Sequence, residues 1–240
     1  MADSSRPPGV LYGLGVGPGD PELITVKALR ILQAVPVIAY PATLGGESMA
    51  RASVDGRLPG GQTELALAID IQAGHGENAP FYDRAAQAIA NHLEAGRDVA
   101  VLCEGDPFFY GSFMYVFGRL AGKWRTEVVP GVSSLNACAA ALHAPLAGGN
   151  DVLTVLPASL DEAALKARLR ETDAAAIIKI GRHFAKLARV LNSLGLFGKA
   201  RYIERVGLGD ERVLPIGEVA DGEAPYFSMV LVHHRGEAWR

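Results

Sequence analysis

The sequence predicts an α/β protein of two αβα domains with mostly parallel sheets and a ligand cleft between them. Three observations predict it. Short apolar runs alternate with helical periodicities along the chain, glycine- or proline-containing loops follow the apolar runs, and the alternation restarts after a polar break near residues 122–126. Domains over residues 1–125 and 126–240 follow. A length of 240 residues, 49% of them apolar and 20% charged, suits such a pair, each half with its own core.

Residues 10–15 read as a buried strand, followed by a glycine-rich loop to Gly19. Asp20 as N-cap and Pro21 at the first helical position then open a helix. Its apolar stripe is Ile24, Ala28, Ile31 and Leu32. Residues 35–40 form the next strand, and the Gly-, Ser- and Pro-rich stretch 43–61 contains a surface loop. A helix over 81–94 stops at Gly96, and strand 98–103 runs into Glu104-Gly105-Asp106-Pro107 before a helix at 112–120. Beyond the break come strand 127–129, helix 133–142, strand 151–156 and helix 161–170. Strands at 175–180, 200–204 and 226–233 complete the pattern. In sheets of this kind ligands sit beyond the carboxyl ends of strands, which directs attention to the loops after Gly15, Cys103, Val129 and Ile180.

Composition narrows the function classes. The formal net charge of −3 gives no general reason to expect a nucleic-acid or membrane partner. No stretch reaches the roughly 20 apolar residues of a membrane span, and the first nine residues lack an apolar signal core, so a cytoplasmic protein is expected. Cys103 and Cys138 have no CxxC spacing and read as buried free thiols. The histidines show no metal-ligand spacing; His233 and His234 are adjacent on a strand and point to opposite faces, so no protein-bound metal is expected.

The loop Gly13-Leu14-Gly15-Val16-Gly17-Pro18-Gly19-Asp20 is not a dinucleotide fingerprint. Counted from Gly13 the sixth position is Pro18, and from Gly15 it is Asp20. Pro18 removes an amide donor, and Asp20 puts negative charge where a phosphate would lie. Walker, HExxH and GxSxG motifs are absent from the sequence. Gly105 allows close approach to the backbone, Asp106 suits either a ligand hydroxyl or a cap, and Ser133 or Ser134 suits either an N-cap or a ligand contact.

Together these segments resemble the tetrapyrrole methylase family. The matching stretches are GLGVGPGDPELIT at the first strand, EGDPFFYGS after strand 98–103, VVPGVSS at the domain boundary, IKIG, and IERVGLGDERV. The resemblance runs from residue 11 to residue 232, with these five stretches in the family's order. The resemblance implies S-adenosylmethionine bound folded between two domains, an anionic tetrapyrrole as substrate, and a homodimer. It is greatest to members that methylate C20 of precorrin-2, metal-free or with cobalt. Tyr40 is followed by Pro41, where the uroporphyrinogen methylases carry an aspartate thought to accept a proton.

Carried over by position, the resemblance implies cofactor contacts at Pro18, Glu104, Gly105, Asp106, Phe109, Ser133, Ser134, Ile180 and Val206. The last strand would border the adenine through backbone groups. A ring bearing many carboxylates requires a basic rim. Lys179, Arg182, His183 and Arg205 are the candidates, with Arg201 nearby in sequence, and Tyr110 joins them by placement. The sulfonium already activates the methyl group, so the protein's main task is alignment, which supplies on the order of 7–11 kcal/mol. His183 and Tyr110 are candidates for a base by position alone. The other readings are a nicotinamide dehydrogenase, a tetrapyrrole carrier, or a family member acting on another corrin carbon.

Overall fold

A computed structural model describes residues 7–43, 45–68, 79–219 and 224–238. The chain divides into two compact units, residues 1–133 and 134–240. The division falls later than the break in the sequence because the strand just after that break completes the first sheet.

The first unit contains β1 (Leu11–Gly15), α1 (Val26–Ala34), β2 (Val37–Ala42), α2 (Met49–Ala52) and β3 (Thr63–Ala68). It continues with α3 (Ala79–Glu94), β4 (Val99–Cys103), α4 (Phe113–Leu120) and β5 (Thr126–Val129). The strand order is β3-β2-β4-β1-β5, and every pairing is parallel. Alternate residues of these strands feed opposite faces, as the two-residue period of a strand requires. Leu14, Ile38, Ala100, Leu102 and Val129 pack with Ala28, Ile31 and Leu32 of α1. Leu11, Val37, Ala39, Val99, Val101 and Cys103 pack with α3 and α4. The unit is therefore a three-layer αβα sandwich.

Two local differences from the sequence reading have clear causes. Asp20 and Pro21 open a 3-10 turn, Pro21–Leu23, rather than the helix itself. The chain straightens at Ile24, and Thr25 then caps α1 through its side chain, accepting from the Ala28 amide at 3.2 Å. The strand β3 escapes the pattern because TELALA is an edge strand with one buried side chain and few β-favouring residues.

The second unit holds α5 (Ser134–Ala141), β6 (Leu153–Pro157), α6 (Glu162–Arg170), β7 (Ala174–Ile178) and α7 (Phe184–Ser193). Then follow β8 (Ala200–Glu204), β9 (Arg212–Leu214) and β10 (Ser228–His233). The order is β6-β7-β10-β8-β9. This sheet is mixed, which corrects the expectation of a mostly parallel one. β6 and β7 pair in parallel, whereas β10 runs antiparallel to both β7 and β8, and β9 antiparallel to β8. A parallel pairing needs a crossover such as α6; β9 returns beside β8 without a helix. Leu165 and Leu169 of α6 and Leu187, Val190 and Leu191 of α7 cover one face, and Leu135 and Cys138 of α5 cover the other.

Candidate active site

In the first unit the carboxyl ends of β1, β4 and β5 meet backbone to backbone. The Val16 amide donates to the Cys103 carbonyl at 2.9 Å, and the Gly105 amide donates to the Gly17 carbonyl at 2.8 Å. A Cβ on Gly131 would lie 2.0 Å from the Gly105 carbonyl oxygen, and one on Gly15 would lie 2.5 Å from the Gly131 nitrogen. Any side chain at these points would force the loops apart. Gly105 also has φ +63°, in the left-handed region that favours glycine. The result is a floor of bare main chain where three strands end, its loops packed too closely to admit a Cβ between them. Such a surface suits an extended polar ligand that hydrogen-bonds to backbone groups.

Asp106 ties this floor together. One carboxylate oxygen accepts from the Phe108 amide at 2.9 Å and the other from the Gly131 amide at 3.1 Å. It does not cap α4, whose N-cap is Ser112 without a side-chain bond. Pro18 is half-buried beside the floor. Beyond it Phe108, Phe109 and Tyr110 are 47%, 37% and 47% exposed, and Phe109 and Tyr110 form an edge-to-face pair at 5.1 Å. Glu104, the first residue after β4, reaches solvent. Desolvation by the surrounding protein raises its carboxyl above the usual carboxylate range, against a hydrogen bond from the Ala50 backbone.

The second unit concentrates its candidates at one end of its sheet. Ile177 pairs with Val230, and Val230 with Tyr202. Lys179 at the end of β7, Arg205 at the end of β8 and Phe227 before β10 therefore share an edge, and the Arg205 amide donates to the Phe227 carbonyl at 2.7 Å. Arg201 pairs with Leu231 and belongs nearer the opposite end, with its guanidinium 3.7 Å from Glu237. The basic cluster read from the sequence is thus divided.

Tyr110, Lys179 and Arg205 share one backbone peculiarity, φ values of +56°, +56° and +54°. Non-glycine residues held there cost on the order of 1–3 kcal/mol and concentrate at functional sites. Each stands just after a strand or in the loop that follows it, where a ligand would be met.

Other candidates occupy different surroundings. Arg182 is exposed, and His183 is half-buried in the turn after β7, with its pKa lowered by desolvation and then by the charges of Lys186 and Arg182. Arg205 is paired with Asp210. Val206 packs partly buried near Ile178, Ile203 and Met229. Ser133 and Ser134 are half-buried, Ser134 beginning α5. Ile180 requires a correction as a side-chain contact. It is fully buried among Leu156, Phe184 and Leu187, because the left-handed turn at Lys179 swings it into the core. Ile178, half-buried on the other face, is the better-placed residue.

The sequence reading did not single out Gly15, Gly131, or the pair Tyr226–Phe227, which is 53% and 39% exposed just before β10. Two aromatics in succession at a strand start are a readable signal, since one must face away from the core. Among the described residues, no helix is long and apolar enough to cross a membrane.

The sequence matches the Tetrapyrrole (Corrin/Porphyrin) Methylases over residues 10–220. It is 44% identical to the precorrin-2 C(20)-methyltransferase of a Sinorhizobium species, covering 93% of this chain and 95% of that protein. It is 33% identical to the cobalt-precorrin-2 C(20)-methyltransferase of Salmonella typhimurium, covering 95% and 98%. Among solved structures, uroporphyrin-III C-methyl transferase from Thermus thermophilus complexed with S-adenyl homocysteine superposes with a TM-score of 0.64 at 25% identity. That match covers 94% of this chain and 92% of that one. With its glycine floor and two α/β units, the chain belongs to the tetrapyrrole methylase family.

Proposed function

We propose that this protein transfers a methyl group from S-adenosylmethionine to C20 of precorrin-2, giving precorrin-3A in cobalamin biosynthesis. The observation that carries the choice of substrate is the 44% identity to the Sinorhizobium enzyme over almost the full length of both proteins. The lower identity to the Salmonella cobalt-precorrin-2 enzyme, 33%, favours the metal-free ring.

The residues fit the methyl donor. The glycine floor and Pro18 would hold its polar portions through main-chain groups, with Asp106 keeping the floor closed. Phe109, Ser133, Ser134 and Val206 complete the proposed contacts, with the buried Ile180 acting through its backbone. Bound there, the donor supplies an electrophilic methyl group. The chain's own work is to orient the ring carbon and to exclude water. Lys179, Arg182, His183 and Arg205 would meet ring carboxylates, and Tyr110 would contact the ring's apolar face. We also assign the working form as a cytoplasmic homodimer, which light scattering would test against the monomer mass of 25.3 kDa.

Assaying precorrin-2 and cobalt-factor II side by side, anaerobically and with methyl-labelled donor, tests the function. Label is expected in precorrin-2 at C20. Turnover of the cobalt ring alone would place the enzyme in the other branch.

A further inference from the structure

We propose that Glu104 is the catalytic proton acceptor of this reaction, because it directly follows β4 with an accessible carboxylate, has no cationic partner among the described residues, and is held by the backbone of α2. The inference rests on the function proposed above. It assigns the side chain of Glu104, whereas the cofactor contacts proposed there use main-chain groups of the glycine floor.

Among the described residues, the carboxylates around the carboxyl end of the first sheet single Glu104 out. Asp106 uses both oxygens within the floor. Asp20 accepts from the Glu22 amide at 2.8 Å as a turn cap. Glu64 is bound by Arg51 at 2.9 Å and by the Tyr40 hydroxyl at 2.8 Å. Glu47 is exposed on the loop before α2 rather than at a strand end. Position 41, which follows Tyr40 in β2, is proline and carries no acid. Of these described carboxylates Glu104 remains, beside Gly105 and the glycine floor.

The groups facing it leave it able to take a proton. The Ala50 amide, near the start of α2, donates to the carboxylate and orients it. Arg51, the cation on that helix, is spent on Glu64 and Asp55. From its own strand and loop, Cys103 is a buried neutral thiol and Asp106 is engaged. Among the described residues no neighbouring charge opposes the desolvation that raises the carboxyl, so its basicity is moved toward that of a useful general base.

The chemistry needs one such group. When the ring carbon takes the methyl group, the carbon–sulfur pair stays on sulfur and a pair from the ring forms the new carbon–carbon bond. The ring is then one charge more positive, and its carbon still bears hydrogen. That carbon–hydrogen bond breaks, its pair returns to the ring's π system, and the proton passes to the Glu104 carboxylate and on to water.

Glu104→Gln tests this against a purely structural tie to α2, because the amide oxygen still accepts from Ala50 but takes no proton. With whichever ring the wild type turns over, kcat is expected to fall on the order of a hundredfold or more. A deuterium isotope effect from the ring carbon should appear or grow. The rising limb of the wild-type pH–rate profile should vanish, and Glu104→Asp should restore part of the rate. Calorimetric affinity for S-adenosylhomocysteine, the ring's binding spectrum and the melting temperature should stay near wild type. A kcat within twofold of wild type overturns the role, as does a loss confined to cofactor binding or to folding. Wild-type turnover of a different ring corrects the substrate and leaves the Glu104 test standing; no wild-type turnover of any corrin ring overturns both readings.

Discussion

The Gly131 amide donates to the Asp106 carboxylate across 3.1 Å, joining the loop after β4 to the loop after β5. Because the Gly105 carbonyl and the Gly131 α-carbon are in contact at the same point, this one hydrogen bond fixes the spacing of the proposed cofactor floor.

Asp106→Ala should therefore loosen the floor. Two amides, those of Phe108 and Gly131, lose their acceptor. Stability should fall by about 1–3 kcal/mol. Affinity for S-adenosylhomocysteine should fall at least about tenfold, or roughly 1.4 kcal/mol. Denaturant titration and calorimetry check the two parts separately. Unchanged affinity would show that the Asp106 clamp does not shape the site. Gly105 is a poorer position for such a test, since any side chain there must enter the left-handed region, and failure to fold would mask the effect on binding.

Much of this arrangement was legible in the sequence. Apolar runs followed by glycine loops located β1, β4 and β7, and with them the ends where ligands bind. Three things were missed, two of them not legible and the third legible but passed over. The antiparallel entry of β10 depends on which neighbours a strand finds, and a run such as SMVLVH is equally buried in either direction. The inward turn of Ile180 depends on the backbone of Lys179, and lysine gives no composition signal for a positive φ. The helix α7 follows a motif read for its charges, Arg182 and His183, although Phe184, Leu187, Val190 and Leu191 carry a clear helical period into the core.

Arg182 should bind ring rather than cofactor. It is exposed after β7 and makes no ion pair among the described residues, so its guanidinium is not committed within the fold. Losing a charge-assisted contact costs about 1.5–3 kcal/mol. Arg182→Ala should thus raise the Michaelis constant for the ring by roughly ten- to a hundredfold. It should also raise the pKa of His183, since Arg182 is one of the charges that lower it. Steady-state kinetics and NMR titration of the imidazole read these outcomes. Weakened cofactor binding with unchanged ring affinity would reverse the placement of the two ligands.

The two thiols should be silent in the folded protein. Burial pushes the Cys138 thiol up to about 12. Cys103 is raised well above its ordinary value by burial first, and then by the charges of Glu104 and Asp106. Thiolate is the reactive form, so a disulfide reagent at pH 8 should modify neither cysteine in the native state. Both should react on unfolding. Rapid modification of Cys103 without unfolding would show that the floor beside Glu104 opens.

Acid should weaken the second unit through Asp151. This carboxylate, with 6% of its side chain exposed, accepts from Arg235 at 2.8 and 2.9 Å, from the Gly148 amide at 2.8 Å and from His233 at 3.0 Å. The His233 Nδ1 accepts from the Arg235 amide at 3.1 Å, which leaves Nε2 as the donor to Asp151. Arg235 first, then Gly148 and His233, hold the carboxyl well below the usual carboxylate range. A depressed folded-state pKa contributes stability that is present above the unfolded value, about 3.9, and is lost as pH falls toward the folded value. Asp151→Asn keeps the shape and removes the charge. Its deficit in unfolding midpoint relative to wild type should be full and flat above about pH 5, then shrink below about pH 4 as the carboxyl of the unfolded wild-type chain takes up its proton while the folded one stays ionised. Equilibrium denaturation of both proteins from pH 7 to pH 2 measures the difference. A deficit that persists unchanged to the acid end would mean that packing and neutral hydrogen bonds, rather than the Asp151 charge, hold β10 to the loop before β6.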